Sequence, residues 1–252
     1  MQRKRKNSSN SGQALIITSL IITMLLLSTA YYVFEIDNNV ASDSTAMDYA
    51  FQATKVSTVN TVVSSLASVS NGGDISVLET NLEMLASAVE NHSYDGDSRL
   101  LFNPLNSSTY QDGIERAWGS NGLGISSAYV TFSLNASGSS VSYYSEYAVN
   151  VTTALTIEGS STGYESEESV NVTCRVYDEQ GFTLANNLTL LYQNETDGPW
   201  IPVSPLGNLN TIDYGNGTYF MTFNVYDQNV LDVSAQISDY RGIFVMASAP
   251  MQ

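Results

Sequence analysis

Hydrophobic positions along the chain change their period twice. From Ala14 to Phe34 they run almost without interruption, from Ile36 to Val89 they recur every three or four residues, and from Ser126 onward they alternate. The first stretch, ALIITSLIITMLLLSTAYYVF, contains no charged side chain. At ~1.5 Å per residue it is long enough to cross a hydrocarbon layer of ~30 Å as one helix. In the second stretch Val40, Met47, Phe51, Val59, Val62, Val63, Leu66 and Val69 mark one face of an amphipathic helix, which continues the first outward as a stalk and stops at Asn71-Gly72-Gly73. Asp74 then caps a second helix carrying Ile75, Leu78, Leu82, Leu85 and Val89 on one face. The two pack as an antiparallel hairpin within residues 35–92.

Residues 93–158 begin turn-rich, with Asp95-Gly96-Asp97, Asn103-Pro104 and Asp112-Gly113, and with one short helix expected from Gln111 to Trp118. The alternating run Val130, Phe132, Leu134 and its counterpart Tyr147, Val149, Val151, Thr153, Leu155, Ile157 predict a β hairpin turning at Gly138-Ser139-Ser140. GSSTGYESEE, residues 159–168, is polar and reads as a linker. Residues 169–252 then carry five strand-like runs: Ser169–Asp178, Asn187–Gln193, Gly217–Asp227, Val230–Ser238 and Arg241–Ser248. Short alternating strands at this spacing predict an antiparallel sandwich. The segment from Val170 to Gly181, with Leu188-Thr189-Leu190 and Gly217-Thr218-Tyr219, resembles the opening strands of immunoglobulin-like modules in microbial surface proteins. The fold class expected is α+β: an N-terminal transmembrane helix continuing into a helical hairpin stalk, then antiparallel strands ending in an immunoglobulin-like sandwich.

Charge gives the first stretch a direction. Arg3, Lys4, Arg5 and Lys6 lie in the leader, residues 1–13, whereas the 25 acidic side chains all follow Phe34 with only Lys55, Arg99, Arg116, Arg175 and Arg241 to oppose them. The bias of basic residues toward the inner side of a membrane puts the N-terminus in the cytoplasm and residues 35–252 outside, with membrane lipid as a partner. A secretory signal is the competing reading, with Ser28-Thr29-Ala30 as its cleavage region. Its apolar core would span only ~7–15 residues, and Tyr31, Tyr32 and Phe34 form an interfacial belt, so retention is expected. The net charge of −16 excludes nucleic acid, whose phosphates require a basic footprint.

Few side chains offer chemistry. His92 is the single imidazole and no Gly-X-Ser-X-Gly elbow accompanies it, and one His with one Cys, Cys174, cannot build a zinc site. Asp95 and Asp97 lack the further ligands of a calcium loop. Gly119, Gly122 and Gly124 lack the Lys-Ser/Thr of a phosphate loop. The carboxylates cluster at turns. No enzyme activity, metal or cofactor is expected. Tyr143, Tyr144, Trp200, Tyr214, Tyr219 and Tyr240 are candidates for a recognition surface. Asn-X-Ser/Thr sequons at Asn91, Asn106, Asn135, Asn150, Asn171, Asn187, Asn194 and Asn216 are glycosylation candidates, and alternation turns Asn150 and Asn171 away from their apolar neighbours.

Ser11-Gly12-Gln13-Ala14-Leu15-Ile16-Ile17 resembles the class III, prepilin-like signals of archaeal surface proteins and the Gly-Gln-Ala-Leu start of the TadE/TadG family of tight-adherence systems. The resemblance implies processing between Gly12 and Gln13. Ile17 stands where many pilins place an acid. The expectation is a single-pass cell-surface protein with a structural or adhesive ectodomain. The alternative is a pilin-like or tight-adherence subunit assembled through its hydrophobic helix after leader cleavage, with other copies or surface-layer and pilus components as partners.

Overall fold

The computed structural model describes residues 23–24, 26–30, 48–91, 97–137, 142–164, 167–196, 198–204, 209–226 and 230–252. Helix α1 occupies 48–70 and α2 Val77–Asn91. The strands that follow are β1 (Asp97–Pro104), β2 (Ile114–Trp118), β3 (Leu123–Ser137), β4 (Ser142–Tyr164), β5 (Glu167–Asp178) and β6 (Gly181–Phe182). They continue with β7 (Ala185–Gln193), β8 (Ile201–Pro202), β9 (Asn210–Asp213), β10 (Thr218–Tyr226), β11 (Asp232–Asp239) and β12 (Phe244–Pro250). An eight-stranded sheet runs β1-β3-β4-β5-β10-β9, with β2 also on β3 and β6 on β5, and a four-stranded sheet runs β12-β11-β7-β8.

Both cores lie on the same face of the large sheet. On its first half, Ala128, Val130, Phe132 and Leu134 of β3 and Val149 and Val151 of β4 meet Val62, Leu66, Val69, Leu78 and Leu82 from the helices. On its second half, Leu155 and Ile157 of β4, the valines of β5 and Met221 and Phe223 of β10 meet Val233, Ala235, Ile237, Val245 and Ala247 of the small sheet. Strand β4 is long enough to serve both.

The helical pair is held locally by its turn. Gly72 adopts φ 97°, which a Cβ would disfavour, and the amides of Asn71 and Gly73 return to carbonyls at the end of α1. The Ser76 hydroxyl and amide bond Asp74, holding its carboxyl below its ordinary value, and the amide bond is 2.8 Å. Asn81 donates to Ser65 at 2.9 Å between the helices. Phe51 packs on Tyr143 and Tyr147, and Thr58 bonds the Tyr147 hydroxyl at 3.2 Å.

Several expectations are corrected by this arrangement. The chain is mostly β, and the helices do not form a stalk: their apolar stripe has a sheet to pack against, so the pair lies on β3 and β4. Among the described residues no helix is long and apolar enough to cross a membrane. Of residues 14–34, only 23–24 and 26–30 are described, all helical, and the rest of that run lies outside the described residues. The transmembrane helix, the single-pass topology with a cytoplasmic N-terminus and extracellular remainder, and membrane lipid as partner are therefore not sustained. Neither is pilin-like assembly with other copies or pilus components. Residues 159–164 are the end of β4 and 167–168 the start of β5, so these residues are paired strand where a linker was expected. The sandwich accordingly begins within β4. The expected helix at Gln111–Trp118 is instead a turn and β2, because Asp112 and Gly113 take φ 50° and 82° and close Gln111 onto Ile114. The turn expected at Gly138-Ser139-Ser140 lies outside the described residues.

The glycines near residue 120 let the small sheet close against the large one. The Gly122 amide donates to Ser248 at 2.7 Å and the Ser248 amide to Gly119 at 3.0 Å. A Cβ on Gly124 would collide with the Met246 carbonyl. Gly124→Ala should therefore lower unfolding free energy by about 1–3 kcal/mol, as overpacking against backbone does. Urea denaturation checks this, and an unchanged midpoint would show that β12 can move away.

Candidate functional site

A dense polar cluster sits where the two cores meet. Alternation along β11 directs Val233, Ala235, Ile237 and then Asp239 inward, and along β4 it directs Val151, Thr153 and Leu155 inward. A carboxylate and a hydroxyl are thereby placed on buried faces, with Asp239 2% exposed and Thr153 fully buried. Thr153 donates to Asp239 Oδ2 at 2.8 Å. The same oxygen accepts from Arg241 Nε at 2.8 Å, and Oδ1 accepts the amides of Arg241 at 2.8 Å and Ile243 at 3.0 Å.

Arg241 extends the cluster toward solvent. Its Nη1 contacts both oxygens of Glu179, at 2.7 and 2.9 Å, while Nη2 donates to the Thr152 carbonyl at 2.8 Å and to Thr153 Oγ1 at 3.1 Å. Glu179 also accepts the Thr152 amide at 3.1 Å. Burial pulls the guanidinium toward its neutral form, but the bonds to Glu179 and Asp239 outweigh this and hold its pKa above the ordinary value. A second chain of hydroxyls adjoins it: Tyr110 meets Ser127 at 2.9 Å, and Ser127 meets Thr152 at 2.7 Å.

The β11–β12 turn that carries this cluster also holds the helices. Phe244 donates its amide to Ser70 at 3.0 Å, and Asn71 donates to the Gly242 carbonyl at 2.9 Å. Ile243 belongs to the helix-covered core, and Val245 two residues later to the sandwich core. Chemically, this arrangement joins parts of the fold, since each charged group already faces opposite charge and hydrogen-bond partners.

The residues singled out from sequence are dispersed. Gly12, Gln13, His92 and Asp95 lie outside the described residues. Tyr219 is buried in the sandwich, Tyr143 packs on Phe51, and Tyr144, Trp200, Tyr214 and Tyr240 are exposed, Tyr240 close enough to Tyr219 to act on its hydroxyl. Asn91, Asn106, Asn135, Asn150, Asn187 and Asn216 are exposed, and Asn171 and Asn194 half-buried. Cys174 is sealed in the sandwich core, where burial pushes its thiol up to about 12. Among the described residues no group of three or more His, Cys, Asp or Glu could hold a metal ion. The Asp239 cluster escaped the sequence reading, although the phase of β11 carries its signal: Asp239 continues the inward series of Val233, Ala235 and Ile237.

No protein-family model matches the chain, and no curated protein matches it. Among solved structures, the first Ig domain of the mouse polymeric immunoglobulin receptor is 18% identical, covering 38% of this chain and 93% of that one, with a TM-score of 0.22. That likeness is partial and weak. With no family match and no membrane-crossing helix among the described residues, the resemblance to prepilin-like or TadE/TadG proteins is not sustained.

Removing Asp239 leaves Arg241 paired with Glu179 but strands the Thr153 hydroxyl and the amides of Arg241 and Ile243, and each buried group left unsatisfied costs about 1–3 kcal/mol. Asp239→Ala should therefore lose about 2–4 kcal/mol, and Thr153→Val, which removes one hydroxyl, about 1–2 kcal/mol. Chemical denaturation measures both, and an Asp239→Ala protein as stable as the parent would show that the cluster does not hold the junction.

Proposed function

We propose that the chain is a non-catalytic structural module, a stiff β-rich spacer in which one long strand unites two cores. The observation that supports this most is the state, among the described residues, of the charged groups at the core junction and of the thiol. Asp239, Arg241 and Glu179 are bonded to one another across the core junction. Cys174, the one thiol, is fully buried with its ionisation suppressed. Catalysis needs a group both activated and reachable, and a thiol is nucleophilic as its thiolate. Continuous pairing from β1 to β10 through β3, β4 and β5 suits a body that transmits position.

Reactive probes test this reading. The folded protein should resist both a fluorophosphonate, which labels activated serines, and iodoacetamide, which labels thiolates. Iodoacetamide should label Cys174 only after denaturation. Stoichiometric labelling of any serine or of Cys174 in the native protein would show an activated nucleophile and overturn the reading.

A further inference from the structure

The outer face of the eight-stranded sheet, opposite both cores, carries three sequons. Asn135 on β3 stands between Arg99 of β1 and Tyr144 of β4. Asn150 on β4 is opposite Tyr129 of β3. Asn171 on β5 stands between Ser160 of β4 and Thr222 of β10. Strand alternation places Ser137, Thr152 and Thr173, the hydroxyl members of those sequons, on the same side.

That face also leaves apolar surface in solvent. Leu101, Tyr144, Ile212 and Tyr226 occupy outward positions there and are all exposed. Following the register along β4, the acceptors are spaced by about 20 Å and then about 33 Å at ~3.3 Å per residue. Each acceptor thus has its own stretch of sheet.

We propose that Asn135, Asn150 and Asn171 carry N-linked oligosaccharides that lie over this face and cover its exposed aromatic and aliphatic side chains. The donor class is a polyprenyl-phosphate-linked oligosaccharide. The Asn carboxamide nitrogen attacks the anomeric carbon, and the bond from that carbon to the phosphate oxygen breaks. The polyprenyl phosphate leaves with the bonding pair, and the carboxamide proton passes to a base of the transferase.

Transfer to these three sites precedes closure of the sheet. Asn135 and Asn171 are paired on both sides. Thr152 is bonded to Ser127 at 2.7 Å and donates to Asn150 at 3.3 Å. A transferase cannot draw such a segment into its own groove without opening the ladder. Asn106 and Asn216 differ, because they sit in exposed turns, where Asn106 accepts only the Asp112 amide and Asn216 the Thr218 amide among the bonds described.

Glycopeptide mass spectrometry of the protein purified from the cells that make it tests the sites. Peptides containing Asn135, Asn150 and Asn171 should each carry a glycan mass, and Asn171→Gln should lose one such mass. Bare peptides at all three would overturn the proposal. Timing is tested on unmodified chain from a host without a transferase, offered to a purified oligosaccharyltransferase with its lipid-linked donor. The folded chain should remain bare at the three face sites and gain glycans there only when unfolded; ready modification of the folded chain would overturn the order of events. Hydroxyl-radical footprinting should show Tyr144 protected in glycosylated material, and equal oxidation with and without glycans would overturn coverage of the face.

Discussion

At Thr153 the inner face of β4 changes partner. Val149 and Val151 lie under the helices, Leu155 and Ile157 lie under the small sheet, and the residue between them bonds a carboxylate from β11. A strand can cross such a junction only if its register is fixed on both sides, because a slip of one residue would turn every inward side chain outward. The ladders to β3 and β5 fix it over nearly the whole strand. The Thr153–Asp239 bond fixes where the small sheet and its turn sit against it.

That turn is where the polar and apolar parts of the fold support each other. Burying a carboxylate costs several kcal/mol unless its lone pairs are occupied and an opposite charge is close. Asp239 receives two amides and a guanidinium from its own turn and a hydroxyl from β4, so the condition is met. The same backbone, from Gly242 to Phe244, receives the end of α1 through Ser70 and Asn71. Helices and sandwich are therefore oriented by one piece of chain, and the apolar cores close around it.

Much of the strand pattern was legible. The alternating valines of β5 and the inward phases of β10, β11 and β12 follow directly from period two, and the Gly72 turn from its composition. What was not legible depends on partners remote in sequence. Residues 159–164 lack the β-branched apolar content of a buried strand, yet Gly159 faces Val233 and Met251, where a larger side chain would not fit. The α1 stripe identifies a buried face without naming what covers it, and the covering residues, Leu100 of β1, Ile114 of β2 and the inward positions of β3 and β4, are remote in sequence. Ile114 and Trp118, four residues apart, mimic a helical pair, whereas backbone pairing to β3 makes them strand. In the Asp239 cluster, alternation locates the carboxylate, but Thr153, Glu179 and Arg241 converge on it only through topology.

Because β4 runs through both cores, they should open as one cooperative body. Native-state hydrogen exchange at the amides of this strand tests this most directly. If they do, residues 149–151 and 155–157 exchange through a common opening, with the same free energy and the same denaturant dependence. Exchange of the helix-covered half at distinctly lower free energy, while the sandwich half stays protected, would show two units sharing a strand without sharing stability, and would contradict it.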